Sequence, residues 1–389
     1  MKQVISTERI PIKLWLDDIE EKALEQAKNV ANLPFSFHHV AIMPDAHSGY
    51  GISIGGVFAT KEVIVPHAVG SDIGCGVCAR KTSLKYDEVN SDNLKLIMSG
   101  IRTRVPIGLN GKHKEQKYNV HMPINHSSLK VVITEYMNAL NSLNSLGSGN
   151  HFIEIQRDIE GFIWIMIHSG SRNLGYKVAD YYNKKAIELN QKYYSAVDKS
   201  IELAFFPLDS FEAQEYIKEM NYCLEYAAYN RVLMMESCFE SLLEIYPSTT
   251  YSEDINVHHN YARTEHHFGK NVLVHRKGAT SAKLDELGLV PGSQGTKSYV
   301  VIGLGNPDSF MSCSHGAGRK MGRKEAIKRL NLEEEIEKLN SQGIIHGIRI
   351  QKDLDEAAGS YKDISVVMEN QSDLVKIVTE LSPLCSIKG

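Results

Sequence analysis

Apolar and polar positions alternate along the chain with both helical and strand periods. Between Ile19 and Val30 apolar residues recur every three or four positions, and Pro34 follows, so a helix is predicted at Asp17–Ala31. Further helices are predicted at Leu129–Leu140, Ser210–Tyr246 (one long helix or a hairpin), Arg323–Leu339 and Ser372–Leu381. Apolar runs predict strands at Phe37–Met43, Phe162–Ile167, Tyr299–Leu304 and Ile364–Met368.

The order of these segments predicts an α+β fold in which helices surround mixed β-sheets. Glycines recur among β-branched residues from Asp45 to Gly76, which indicates short strands and tight turns. The chain shows no internal repeat and no Pro/Ser-rich hinge. We therefore expect one domain over residues 1–389, with a helical excursion at about residues 176–250.

Composition narrows the class of protein. A hydrophobic fraction of 42% and a charged fraction of 23% are typical of a soluble globular protein. No apolar run approaches the roughly 20 residues that span a bilayer, and the N-terminus lacks the features of a signal peptide, so we expect a cytoplasmic protein without membrane contact. The net charge of −4 gives no sign of nucleic-acid binding. Any RNA must therefore bind a local patch or a cleft charged by metal ions.

The cysteines do not form a disulfide framework in a chain of this length. Cys75 and Cys78 have the spacing of a zinc knuckle or a redox motif. A structural zinc site would need a second pair at similar spacing, which does not occur among Cys223, Cys238, Cys313 and Cys385. The pair is therefore not expected to be a zinc knuckle.

Five potential metal ligands occur where a strand gives way to glycine. They are Asp72, Cys75, His151, His168 and His259. Together they could hold two divalent ions if the thiolate of Cys75 bridges them, and such ion pairs act as Lewis acids on phosphoryl groups. Each residue alone also has an ordinary reading: a satisfied polar histidine, a buried apolar cysteine or an aspartate in a turn. Periodicity does not decide whether the five converge.

The glycine-rich segment Ser314–Arg319 contains His315. A glycine loop that opens a helix can cradle phosphates with its backbone N–H groups, although many such loops are ordinary helix entries. An exposed histidine there could attack phosphorus and form a phosphoramidate. Neither the usual phosphate-loop signature nor the K-x-D-G of lysine nucleotidyl-transferases is present, which favours a histidine nucleophile.

Taken together, the motifs resemble those of the RtcB family of RNA-splicing and RNA-repair ligases. The resemblance runs from Met43-Pro44-Asp45-Ala46-His47 to the terminal Gly389. In order, it rests on Asp-Ile-Gly-Cys-Gly, Gly-Asn-His-Phe-x-Glu, His-Ser-Gly-Ser-Arg, His-Asn, Arg-Lys-Gly-Ala, Pro-Gly-Ser and Ser-His-Gly-Ala-Gly-Arg. Any one motif is weak evidence, but all of them in order are specific.

The resemblance implies two Mn²⁺ ions and GTP. One ion would be held by Asp72, Cys75 and His151, and the other by Cys75, His168 and His259. His315 would take GMP from GTP. The positions implied for guanylate binding are Asn150, Glu154, Asn260, Pro291, Gly292, Ser293, Gln294, Ser298, His315, Gly316, Ala317, Gly318, Tyr361 and Lys388. The implied phosphate or RNA clamps are Arg172, Lys277 and Arg319.

The implied activity is ligation of RNA. Ends carrying a 2′,3′-cyclic phosphate or a 3′-phosphate would be joined to 5′-hydroxyl ends, in RNA repair or tRNA splicing. Two alternatives stay open: a dinuclear metal-dependent phosphodiesterase that does not use GTP, and a non-catalytic RNA-binding paralogue. Four positions depart from the usual family pattern and suggest a divergent bacterial-type branch: Cys78, Ser148, Gln294 and Gly322. None of them is a metal ligand or the nucleophile.

Overall fold

Two large β-sheets form the framework of the molecule, and the computed structural model describes residues 1–115, 122–123, 128–252 and 254–389. The six-stranded sheet has the order β1 (Gln3–Ile5), β2 (Ile12–Leu14), β3 (Ser36–His47), β4 (Ile54–Thr60), β12 (Lys270–Lys277) and β11 (Asn260–His267). The seven-stranded sheet has the order β10 (Ile255–His258), β6 (Gly76–Lys85), β8 (Phe162–Ser169), β7 (Phe152–Asp158), β17 (Val375–Lys388), β15 (Ser298–Gly303) and β14 (Leu287–Val290). Two smaller pairs join β13 (Ala279–Ser281) to β16 (Ser312–Ser314) and β5 (Val63–Ile64) to β9 (Phe206–Pro207).

Helices cover these sheets. Their bounds are α1 Glu21–Asn32, α2 Ser91–Arg104, α3 Lys130–Ser142, α4 Leu174–Lys192, α5 Phe211–Leu243, α6 Arg323–Arg329, α7 Leu332–Asn340 and α8 Ile364–Asn370. β2 pairs with β3 in parallel while the neighbouring pairings are antiparallel, so the sheet is mixed. The predicted α+β class with mixed sheets is confirmed. No helix in the described ranges has the length and apolar character needed to cross a bilayer.

The helix α5 is one continuous helix of 33 residues, which resolves the choice between a long helix and a hairpin. Ser210 caps its start by accepting a hydrogen bond from the backbone N–H of Ala213. Its fully buried Arg231 donates to the carbonyl oxygens of Gly74 (3.0 Å) and Ser169 (2.9 Å). α5 therefore fixes the loop that carries Asp72 and Cys75 and the end of β8 that carries His168.

The chain departs from the predicted elements in its last third. Arg323–Leu339 is not one helix, because it breaks after α6 and Asn331 caps α7 by accepting from the N–H of Glu334. Ile364–Met368 is helical rather than extended: Asp363 caps it, and its buried residues are spaced for a helix.

The prediction of a helix at Ser372–Leu381 is also wrong. From Val375 the chain forms β17, which pairs with β15 on one side and β7 on the other. The hydrogen bonds of two flanking strands override the local helical preference of this segment. At the other end of the chain, α1 starts at Glu21 rather than at Asp17.

Candidate active site

Four of the five predicted metal ligands lie at strand ends along one edge of the seven-stranded sheet. They are Cys75 before β6, His151 before β7, His168 near the end of β8 and His259 after β10. The antiparallel register pairs Gly76 with Ser169 and Phe152 with His168, so the end of β8 meets the starts of β6 and β7. Strand pairing therefore assembles ligands that are far apart in the sequence.

Asp72 completes the cluster from the loop before β6. The backbone carbonyl of Asp72 accepts hydrogen bonds from the N–H of Cys75 (3.1 Å) and from the side-chain amide of Asn260 (3.0 Å). Its carboxylate packs against Gly170, where a Cβ atom would lie 2.4 Å from Asp72 Oδ2. Glycine at this position is what lets the carboxylate approach the histidines.

The ligand atoms form two groups that share the sulfur atom of Cys75. Asp72, Cys75 and His151 make one group, and Cys75, His168 and His259 the other, with ligand atoms within 4.8 Å of one another in each. Cys75 Sγ lies 3.5 Å from His151 Nε2 and 3.3 Å from His168 Nε2. The structure thus brings all five predicted ligands together.

The tautomers of two histidines suit metal binding. Nδ1 of His151 lies 3.0 Å from the carbonyl oxygen of Leu146, and Nδ1 of His168 lies 3.1 Å from that of Asn150. A carbonyl oxygen only accepts, so each Nδ1 carries the proton and each Nε2 presents a lone pair to the cluster. The lone pair of His151 then faces Asp72 Oδ2 at 3.2 Å, and His168 Nε2 faces His259 Nε2 at 3.4 Å.

Because these ligand atoms are buried, a bound cation would balance the lone pairs and the carboxylate charge that face one another. Desolvation holds the pKa values of His168 and His259 well below the ordinary range, which favours their neutral, metal-binding forms. Burial and the nearby Asp72 raise the pKa of the Cys75 thiol, an effect that a divalent ion in contact with the sulfur would reverse. The facing acceptors and the sulfur–imidazole–carboxylate donor set therefore fit two divalent ions that share Cys75.

His315 lies beside the second ligand group, with its ring centroid 4.7 Å from that of His259. Its Nδ1 is 2.7 Å from Oδ2 of the fully buried Asp45, and the same oxygen accepts from the backbone N–H groups of His315 (3.1 Å) and Gly316 (3.3 Å). The carboxylate therefore fixes the loop and leaves Nε2 as the nitrogen with a free lone pair. Asp45 carries no local sequence signal of this role, because its partner is 270 positions away.

A cleft of about 730 Å³ opens over His315. The predicted nucleotide-binding residues that line it are Asn150, Pro291, Gly292, Gly316, Ala317, Gly318, Tyr361 and Lys388. Gly318 has a φ of +72°, and a Cβ atom there would lie 2.1 Å from the backbone oxygen of Asp45. The loop therefore needs glycine to lie against β3.

Glu154 is a buried carboxylate on β7. The amide of Gln156 donates to it at 2.8 Å and also lies 3.1 Å from the hydroxyl oxygen of Ser298. Burial raises the pKa of Glu154 to about 7, although the positive charge of Lys388 acts in the opposite direction. The carboxyl group can therefore accept further hydrogen bonds, although it is not among the residues that line the cleft over His315.

Five of the predicted nucleotide-binding residues do not line this cleft: Glu154, Asn260, Ser293, Gln294 and Ser298. The amide of Asn260 is used internally, since it donates to Asp72 and accepts from the N–H of Gly278 at 2.8 Å. Ser293 bonds within its own turn to Thr296. Gln294 donates to the carbonyl of Glu356 at 3.3 Å and lines a separate cavity.

The predicted clamps lie in three different settings. Arg172 lines a second cleft, of about 550 Å³, together with Asp72 and His151. Lys277 donates to the backbone carbonyls of Tyr50 and His67 at 2.5 and 3.1 Å, and burial lowers its pKa to about 8. Arg319 lines the first cleft. The structure therefore does not bring the three cations to one point.

Glu356, which no sequence motif pointed to, organises one wall of the first cleft through the side chains that it binds. This buried carboxylate accepts from Arg319 (2.7 Å), from Arg323 (2.6 Å) and from the hydroxyl of Tyr361. Burial acts to raise the pKa of Glu356, but Lys388 and Arg319 outweigh it and hold the pKa below the ordinary value. Cys78, in contrast, points away from the ligand groups and donates to the carbonyl of Arg231.

An oriented histidine, paired ligand groups that share a thiolate and a large cleft beside them are typical of metal-dependent enzymes that transfer phosphoryl or nucleotidyl groups. Comparison with known proteins defines the family. The pattern of the family described as tRNA-splicing ligase RtcB matches residues 26–389. The chain belongs to the RtcB family.

Relatives match along essentially the whole chain. The RNA-splicing ligase RtcB of Escherichia coli K12 is 38% identical, over 100% of this chain and 99% of the relative. The tRNA-splicing ligases RtcB of Nanoarchaeum equitans and Thermococcus kodakarensis are 32% and 31% identical, each over 98% of this chain and 95% of the relative. The family expected from the motifs is confirmed.

Proposed function

We propose that this protein is a GTP- and Mn²⁺-dependent RNA ligase that works through GMP attached to His315. Its substrates are RNA ends with a 2′,3′-cyclic phosphate or a 3′-phosphate, which it joins to 5′-hydroxyl ends. The observation that carries the proposal is the position of His315, which Asp45 orients beside two ligand groups that share Cys75. A hydrolase would need these ligand groups but not an oriented histidine.

The metal ions would be held by the five residues of the two groups, with Cys75 common to both. When bound, they neutralise charge on phosphate oxygens and lower the barrier to displacement at phosphorus. Manganese is carried over from the family resemblance, and the mixed sulfur, nitrogen and oxygen donors accept such an ion.

His315 acts as the nucleophile in the first reaction. Its Nε2 attacks the α-phosphorus of GTP, an N–P bond forms, and the bond to pyrophosphate breaks. Asp45 accepts a hydrogen bond from Nδ1–H and stabilises the positive charge that develops on the ring. Glu154 accepts the N1–H and N2–H₂ donors of guanine, while Tyr361 stacks on the base.

The GMP then passes to RNA. Water opens a cyclic end to a 3′-phosphate, whose oxygen attacks the phosphorus on His315 and releases the imidazole. The resulting RNA end carries GMP through a pyrophosphate bond. A 5′-hydroxyl attacks the RNA phosphorus, a 3′–5′ phosphodiester forms, and GMP leaves.

The decisive test uses His315→Ala with α-phosphate-labelled GTP. The variant is expected to lose both the protein-bound label and the ligation of a 3′-phosphate end to a 5′-hydroxyl end, while it keeps its metal ions. RNA that already carries GMP on its 3′-phosphate should still be sealed, because the nucleophile is needed only before that point. A label retained by the variant would show that another residue carries GMP, and a wild type that only hydrolyses such ends would favour the phosphodiesterase instead.

A further inference from the structure

Because the net charge of the whole chain is negative, RNA must bind to a local positively charged surface. The whole chain has a net charge of −4, yet the eleven residues 319–329 contain six lysines and arginines and one glutamate. This segment directly follows the loop that carries His315 and reaches the mouth of the first cleft. It is therefore a cationic rim on an otherwise acidic molecule.

Three lysines of this rim point to solvent: Lys320, Lys324 and Lys328, which we call the lip lysines. Lys324 and Lys328 are four residues apart on α6 and so lie on the same helix face. Within the described part of the chain no lip lysine forms an ion pair, whereas Arg329 pairs with Glu325 at 3.0 Å. Asp363 is the acidic side chain that interacts electrostatically with Lys320.

The arginines of the same segment already form ion pairs with glutamates of the protein. Glu356 accepts from Arg319 at 2.7 Å and from Arg323 at 2.6 Å, so one buried carboxylate compensates much of their charge. No lip lysine is paired with a buried carboxylate of the described residues, so their ammonium groups remain available to an external polyanion. Flexible ammonium groups on a rim suit a phosphate backbone that is recognised without regard to base sequence.

We propose that the lip lysines bind the backbone of the RNA strand whose 3′-phosphate receives GMP. The inference rests on the proposed function, in which that phosphate must enter the cleft over His315. Lys324 lines the mouth of this cleft, and Lys320 and Lys328 are exposed in the same segment. The 5′-hydroxyl strand has a separate approach, because a second cleft reaches Asp72 and His151 and is lined by other residues.

The test replaces all three lip lysines with glutamine and measures RNA binding by fluorescence anisotropy, with Mn²⁺ and without GTP. One probe is a single strand ending in a 3′-phosphate, and the other is a single strand with a free 5′-hydroxyl and a blocked 3′ end. Each phosphate contact on single strands contributes about 0.7 to the slope of log affinity against log salt, so three contacts contribute about 2. Between 50 and 200 mM salt, the wild type should therefore lose about twentyfold more affinity for the 3′-phosphate strand than the variant does.

The matched control makes the same change of charge at three exposed lysines that do not line the cleft: Lys61, Lys270 and Lys376. It should keep the wild-type slope with both probes, and circular dichroism and melting curves check that both variants fold. An unchanged slope in the lip variant, an equal loss in the control, or a loss confined to the 5′-hydroxyl probe would each overturn the inference. Labelling of the wild type by GTP without RNA tests the proposed function separately, since it does not involve strand binding.

Discussion

Replacing Glu154 with glutamine should stabilise the metal- and nucleotide-free protein while it weakens GTP binding. The carboxyl group is buried, and its pKa rises from 4.5 to about 7 on folding. Between these values the folded state keeps a proton that the unfolded state has lost, so stability falls as the pH rises. Above pH 7 the ionised side chain costs about 3 kcal/mol, a value that already includes the attraction of Lys388.

Glutamine has a similar shape and no charge, so Glu154→Gln should remove this cost. For a chain of this length, about 3 kcal/mol corresponds to a rise of about 4 °C in the melting temperature at pH 8. At pH 5 the gain should shrink to less than about 1 kcal/mol, because the wild-type carboxyl group is then largely protonated when folded. The measurement is thermal unfolding with a chelator present, with the exposed Glu337→Gln on α7 as a control that should not shift.

The same variant should lose function. A carboxylate offers acceptors to both guanine donors, whereas the glutamine amide turns an N–H₂ group towards one of them. A buried mismatch of this kind costs about 1–3 kcal/mol, so labelling by limiting GTP should fall ten- to hundredfold and the preference over ATP should narrow. A melting temperature at pH 8 equal to that of the wild type would refute the burial argument, and undiminished labelling would refute the guanine pocket.

Two further outcomes follow from the site. Asp45→Asn should reduce labelling of His315 by about 10²–10⁴-fold without loss of metal, because an amide that donates to Nδ1 moves the ring proton to Nε2; equal labelling rates at saturating GTP would rule out the orienting role. Cys75→Ala should lose most of both ions by elemental analysis, since its sulfur is common to both ligand groups, and full occupancy in that variant would show that the two ions are held independently.

The sequence predicted the chemistry of the site better than the elements around it. Cys75, His151 and His168 lie at junctions between a strand and a glycine-containing loop, and such junctions are visible locally. The antiparallel register that brings the end of β8 against the starts of β6 and β7 is not visible locally. Cys75 is separated from its neighbours His151 and His168 by 76 and 93 positions in the sequence. The family resemblance supplied that missing information for the ligands.

The resemblance supplied no roles for the supporting carboxylates. Asp45 and Glu356 are both buried and act through other side chains, so no local pattern marks them as part of a site. The wrong elements have a related cause. Ser372–Leu381 has helical composition, but β17 lies between β7 and β15, where strand pairing decides the conformation. Where long-range pairing sets the structure, a window of local sequence cannot identify it.

Glu154 and the metal ligands illustrate one physical principle at two places in the fold. Each buries groups whose charges or lone pairs have no adequate partner within the protein: an ionisable carboxyl group at Glu154, and facing acceptors at His151 and Asp72. Such burial opposes folding unless a ligand supplies the missing donor or cation. The fold is therefore less stable because of the buried groups at the positions where GTP and metal ions would bind. Ligands bound at these positions should raise the melting temperature of the protein. Glu154→Gln tests this argument at the position where the protein can be changed without disturbing the metal ligands.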